Sequence, residues 1–152
     1  MRKKENEITD RSEIDKIIKN SDICRMGLSD ENKPYIVPMN FGYKNNCLYF
    51  HCAKEGKKID IIRKNPYVCF EFDLVPEIIK AEKACNWGIK YKSVIGFGKA
   101  FLVKDLEEKE NALRIIMSQY TEKKSEFSGE SVEKTGIIIV EIESITGKQS
   151  CD

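Results

Sequence analysis

What most constrains this chain is a succession of short strand-like runs separated by polar turns of only a few residues. Ile23 to Leu28 ends at Ser29-Asp30-Glu31-Asn32-Lys33, Pro34 to Tyr43 ends at Lys44-Asn45-Asn46, and Cys47 to Ala53 follows directly. Turns that short join strands as antiparallel hairpins. Tyr67 to Asp73 alternates Val68, Phe70 and Phe72 against Cys69, Glu71 and Asp73, the two-residue period of a half-buried strand. Tyr91 to Val103 makes a long fifth run, with Gly96 and Gly98 where a bend or bulge would fit. Gly136 to Ile145 is the sixth, opening on the β-branched series Ile137-Ile138-Ile139-Val140.

Three segments change period. Asp10 and Glu13 have capping-box spacing ahead of Ile14, Ile17 and Ile18, and Asn20-Ser21-Asp22 breaks the helix they start. Gly56-Lys57-Lys58 leads into Ile59, Ile61 and Ile62, and Arg63-Lys64-Asn65-Pro66 closes a second short helix. A third spans roughly Leu106 to Tyr120, with Leu113, Ile116, Met117 and Tyr120 on one side. Residues 74–90 show no clear period, and 121–135 read as a polar loop. The expected fold is therefore mainly β: a small six-stranded antiparallel barrel with peripheral helices, one domain over residues 1–152.

Composition narrows the function. Lys plus Arg number 26 against 25 Asp plus Glu, a net charge of +1, which excludes a polybasic nucleic-acid module driven by bulk charge. Apolar runs such as Gly136 to Val140 are far shorter than the roughly 20 residues that span a bilayer. The start, Met1-Arg2-Lys3-Lys4-Glu5, lacks an apolar signal core, so a cytoplasmic protein is expected. Six cysteines without a CxxC pair, and a single histidine, support free thiols and no metal site.

Three segments could carry chemistry. In Tyr49-Phe50-His51-Cys52-Ala53-Lys54-Glu55-Gly56-Lys57-Lys58, a strand gives way through a glycine turn to a helix fronted by two lysines. The free amides of a helix N-terminus attract anions, and lysines there add formal charge, so a phosphate monoester would be well matched. Solvated surface lysines are the plain alternative. His51, on the strand before the turn, could be a general acid/base, a ligand contact or a half-buried residue with one hydrogen bond. Pro38, mid-run in Pro34 to Tyr43, cannot donate to a ladder, which implies an edge, a bulge or open backbone. In the third segment Trp87, Tyr91, Lys92 and Ser93 lie close together, supplying a stacking surface, a cation and a hydroxyl.

The ordered strings "CRMGLSDENKPYIVPMNFGY", "LYFHCAKEGKKIDIIRKNPYVCFEFD", "EKACNWGIKYKSVIGFGKA" and "EIESITGK" cover about residues 8–148. Together they resemble the FMN-binding split-barrel superfamily typified by pyridoxamine 5′-phosphate oxidase, and most nearly its nitroimidazole-resistance (Nim-like) branch. The resemblance implies a six-stranded antiparallel split barrel that forms a homodimer, with FMN at the subunit interface. By position it implies that Pro38, Met39 and Asn40 line the ring edge, and that His51, Cys52 and Ala53 run beside the ring and ribityl chain. Lys57 and Lys58 would hold the phosphate, with Trp87, Tyr91, Lys92 and Ser93 contributing from one subunit or the other. In that branch a histidine at the position of His51 engages the small-molecule substrate near the flavin. Apolar walls are expected around Ile36, Val37 and Phe50. The chain stops six residues after Thr146, without the Arg- and His-bearing segment that grips substrate in the oxidase proper. The expected activity is thus an FMN-dependent oxidoreductase acting on a small acceptor such as a nitroaromatic. Flavin binding without turnover and haem binding through His51 are the alternatives.

Overall fold

The computed structural model describes residues 4–150. Among these residues eight strands and four α-helices follow in the order β1 (Glu7–Ile8), α1 (Arg11–Lys19), β2 (Cys24–Asp30), β3 (Lys33–Met39), β4 (Gly42–Lys44), β5 (Cys47–Ala53), α2 (Lys57–Lys64), β6 (Tyr67–Ile79), β7 (Gly88–Val103), α3 (Leu106–Tyr120), α4 (Gly129–Lys134) and β8 (Thr135–Ser150). All pairings are antiparallel, and the sheet runs β3-β2-β6-β7-β8-β5-β4, with β1 added against β8. The two ends of that order, β3 and β4, are consecutive in the chain and separated only by Asn40 and Phe41. Three residue steps reach about 11 Å at most. The sheet must therefore curl until its edges nearly meet, which makes it a barrel.

The class is the mainly β architecture expected, but the strand count exceeds six. The run Pro34 to Tyr43 divides at Asn40–Phe41 into β3 and β4, and Glu7–Ile8 adds a further strand. The ambiguous 74–90 region is the far end of the β6–β7 hairpin, where Ile79 pairs with Gly88. A register shift between Leu74 and Glu77 interrupts the alternation there, which is why no period is visible. The expected loop 121–135 contains α4, started by Ser128, whose hydroxyl accepts from the Ser131 amide.

Inside the barrel Val68, Phe70 and Phe72 are buried together with Phe41, Phe50, Leu48, Ile138 and Val140. The Phe41 and Phe72 rings lie 4.8 Å apart, tilted. Each such ring contributes about 1.5–3 kcal/mol by burial. Asp10 caps α1 by accepting from the Ser12 amide, while Glu13 is drawn instead to Lys16 and Lys92. The box is thus only half made. Tyr120, expected on the buried side of α3, is half exposed and uses its hydroxyl: it accepts from the Phe41 amide (2.8 Å) and donates to the Asp22 carbonyl (2.9 Å). Burial holds the Cys24, Cys47, Cys52 and Cys69 thiols above their ordinary range, as for small hydrophobes rather than nucleophiles. No helix among the described residues is long and apolar enough to cross a membrane.

Gly98 sits at the β7 register shift, and a Cβ there would lie 2.2 Å from the Glu141 carbonyl oxygen. Backbone in mid-sheet cannot give way as a side chain does. Gly98→Ala should cost on the order of 1–3 kcal/mol, read as a lower denaturant midpoint. Gly129→Ala, where a Cβ meets nothing within 4 Å, should leave the midpoint close to wild type.

Candidate functional site

Barrel closure brings the ends of β3 and β5 and the start of α2 to one place. There an open cleft of about 590 Å³ is lined by Ile23, Val37, Pro38, Met39, Asn40, His51, Cys52, Ala53 and Lys58. Ligand clefts in proteins typically measure about 300–1,000 Å³. Pro38 lies on β3, a terminal strand of the sheet, so its missing N–H leaves no ladder bond unmade on the open side. Along β5 the alternation buries Phe50 in the barrel and turns His51 outward, exposed, opposite Ile137 of β8. Cys52 is half-buried. Burial pushes its thiol up, and the nearby Lys58 ammonium partly offsets this.

The strand-to-helix corner depends on Gly56. Its φ of 127° lies where side chains are strained, and a Cβ would meet nothing within 4 Å. No side chain caps α2, so the first-turn amides receive nothing from that source. The two lysines that follow diverge. Lys58 is half-buried and lines the cleft. Lys57 is exposed and holds its Nζ 4.5 Å from the centre of the Tyr35 ring, a cation–π contact.

Trp87, Tyr91, Lys92 and Ser93 are not brought to this cleft within one chain. Ser93 pairs with Lys148 and Tyr91 with Ser150, whereas His51 pairs with Ile137 at the other end of β8. Eleven residues of strand separate Ile137 from Lys148, roughly 35 Å. Trp87 donates its indole N–H to the Ala81 carbonyl (2.6 Å), Lys92 meets Glu13 at 3.3 Å, and the Lys148 ammonium sits 5.7 Å from the Tyr91 ring centre.

The apolar wall differs from expectation. Val37 lines the cleft, but Ile36 points to the opposite face and Phe50 fills the barrel interior. Side chains alternate along β3, and the alternation carries Ile36 to a separate groove with Tyr67 and Phe97. Ile23 supplies an apolar contact beside Val37 and Met39. It precedes Cys24, which pairs with Met39, so only the β2–β3 register reveals it. Tyr35 as the partner of Lys57 carried no signal in the sequence. Among the described residues no group of three or more His, Cys, Asp or Glu side chains could hold a metal ion.

The proximity of Lys58 to Cys52 is open to chemical test. Exposed Cys85 should be alkylated by iodoacetamide ahead of Cys52 at pH 8. Lys58→Ala removes the cation that favours the thiolate and should slow Cys52 further, by a factor of a few. Peptide mass mapping over time follows both sites.

Comparison with known proteins bears on the family and the fold. The chain spans about half the length of a curated relative that it matches, an uncharacterised protein of Rhizobium meliloti (strain 1021). The two are 30% identical over 92 residues, 60% of this chain and 54% of that one. A candidate 5-nitroimidazole antibiotic resistance protein of Bacteroides thetaiotaomicron VPI-5482 superposes with a TM-score of 0.86 at 37% identity, covering 94% of this chain and 86% of that one. An FAD- and haem-binding protein of Mycobacterium smegmatis has the same fold, with a TM-score of 0.85 at 14% identity, covering 97% and 74%. The sequence model of the pyridoxamine 5′-phosphate oxidase family matches residues 10–149, nearly the whole barrel. The chain therefore belongs to the pyridoxamine 5′-phosphate oxidase family.

Proposed function

We propose that the cleft binds FMN and that the protein is an FMN-dependent oxidoreductase of the nitroimidazole-resistance type, acting on a small acceptor. One observation carries this reading: an apolar wall (Ile23, Val37, Met39), a donor-poor edge strand (Pro38), the sole imidazole (His51) and one half-buried cation (Lys58) converge on a single cleft. A flavin asks for those elements: an apolar slot for the ring and fixed positive charge for the phosphate. When bound, FMN would carry the electrons between a reduced donor and the acceptor. Pro38, Met39 and Asn40 would meet the ring edge, and His51, Cys52 and Ala53 the side along β5. Lys58 and the uncapped start of α2 would bind the phosphate, with Lys57 as the outer of the two lysines. His51, exposed and next to the ring position, would orient the acceptor and exchange a proton with it. The likeness to a candidate 5-nitroimidazole resistance protein at 37% identity supports this reading.

The reading includes a homodimer. Trp87, Tyr91, Lys92 and Ser93 lie some 35 Å along the sheet from His51, so only a second copy can add them to the cleft. The sheet also offers a face suited to self-association. Ile36, Tyr67 and Phe97, 67%, 61% and 55% exposed, surround a mostly apolar groove of about 480 Å³. Contiguous exposed apolar surface of this kind marks interaction sites.

Purified protein should be yellow or take up added FMN; colourless protein that binds none sinks the assignment, and a Soret band on haem addition instead would favour the haem reading. Losing one charge-assisted contact costs about 1.5–3 kcal/mol, so Lys58→Ala should weaken FMN by roughly 10–150-fold and riboflavin hardly at all. Lys57→Ala should do less. His51→Ala should lower donor-dependent reduction of nitroaromatics while flavin absorbance persists; no turnover in the wild type would identify a carrier or sensor. For the dimer, light scattering should give a mass near twice 17.5 kDa, and Phe97→Glu should give a monomer that loses flavin.

A further inference from the structure

A second pocket, of about 400 Å³, shares no lining residue with the flavin cleft. It lies on the other side of α2: Lys58 faces the cleft, whereas Ile59 and Arg63 face this pocket. Four cationic side chains border it, Lys54, Arg63, Lys104 and Lys109, and no carboxylate residue lines it. Its apolar surface comes from Leu102 and Val103, with the buried Ile59 and Ile137 behind them.

Lys109 is the informative member. It lies in the first turns of α3 and is only 5% exposed. Its ammonium donates to the Thr135 carbonyl (2.8 Å) and, more weakly, to the Glu133 carbonyl (3.4 Å). Both acceptors are neutral. Among the described residues Lys109 forms no ion pair, and neither do Lys54 or Lys104. Arg63 reaches Asp60 at 3.5 Å, an exposed contact of little strength. The ammonium on this buried side chain is thus held by neutral carbonyls, which occupy two of its three donors. Tying α3 to the start of β8 would explain Lys109 alone. It would not explain three more cations around the same pocket with no carboxylate among them.

We propose that this pocket binds a small organic anion, an apolar body bearing one phosphate or carboxylate group. The anionic group meets Lys109 and the rim formed by Lys54, Arg63 and Lys104, and the body rests on Leu102 and Val103. The site is independent of the flavin reading, because the two share no residue.

The test is calorimetric titration of the full chain, saturated with whatever flavin it takes up, using AMP, benzoate and inorganic phosphate as probes. AMP or benzoate should bind at one per chain, and whichever binds identifies phosphate or carboxylate as the recognised group. Inorganic phosphate, lacking the apolar body, should bind at least tenfold more weakly. Lys54→Glu combined with Lys104→Glu, both at exposed positions, should weaken binding tenfold or more, and Lys58→Ala should leave it unchanged. Arg63→Ala gives an independent variant with the same expected direction should the double variant fold poorly. The proposal is overturned if neither organic anion binds, if phosphate binds as tightly as they do, if the rim variants have no effect, or if Lys58→Ala abolishes binding.

Discussion

The rest of the structure hangs on the corner where β3 becomes β4. Phe41 is fully buried there against Phe72, and its amide is held by the Tyr120 hydroxyl, which is itself anchored on the Asp22 carbonyl. One residue later, Gly42 passes so close to α3 that a Cβ would lie 2.7 Å from the Ile115 and Ile116 backbone. One aromatic ring in the core, one phenol and one missing side chain thus pin both edges of the sheet and the long helix together. Because the connection is two residues long, the edges cannot separate, and the sheet stays curled. The cleft is a consequence: Pro38, Met39 and Asn40 precede the pinned ring and are held beside the end of β5.

The charged groups of the molecule divide accordingly. On α1, Glu13 is engaged by Lys16 and Lys92, and Arg11 is held by Asp15, Tyr43 and Asn46, all structural contacts at the surface. The cations around α2 behave differently. Lys57 rests on an aromatic face, Lys58 enters the cleft, and Arg63 turns to the pocket behind. A helix of eight residues presents cations on several sides in this way because successive residues turn by about 100°. Two pockets with different cations can therefore flank one short helix.

Much of the fold was legible along the chain. Alternation in Tyr67–Asp73, the polar turns and the Asp10 cap are local signals, and each element they indicate is present. The differences have two origins. The division of Pro34–Tyr43 into two strands and the bulge near Leu74 depend on what lies across the sheet, so a window of neighbouring residues does not contain them, whereas α4 is a single short turn whose Ser128 cap is easily passed over in a polar stretch. The site was partly legible for the same reason. His51, Cys52 and Ala53 are contiguous and close to Lys58, whereas Ile23 and Tyr35 enter through strand register and packing.

By itself, the order of residues determined the hairpins, the alternating core of β6, the glycine-dependent turn into α2 and the kinds of chemical group available. These are short-range properties, set by backbone sterics and by hydrophobic period. Tertiary structure alone decided that Ile36 faces away while Val37 lines the cleft, that Lys57 and Lys58 part company, and that Trp87 to Ser93 stand far from His51. Those outcomes rest on how a curled antiparallel sheet sets its register, and register is a relation between residues tens of positions apart.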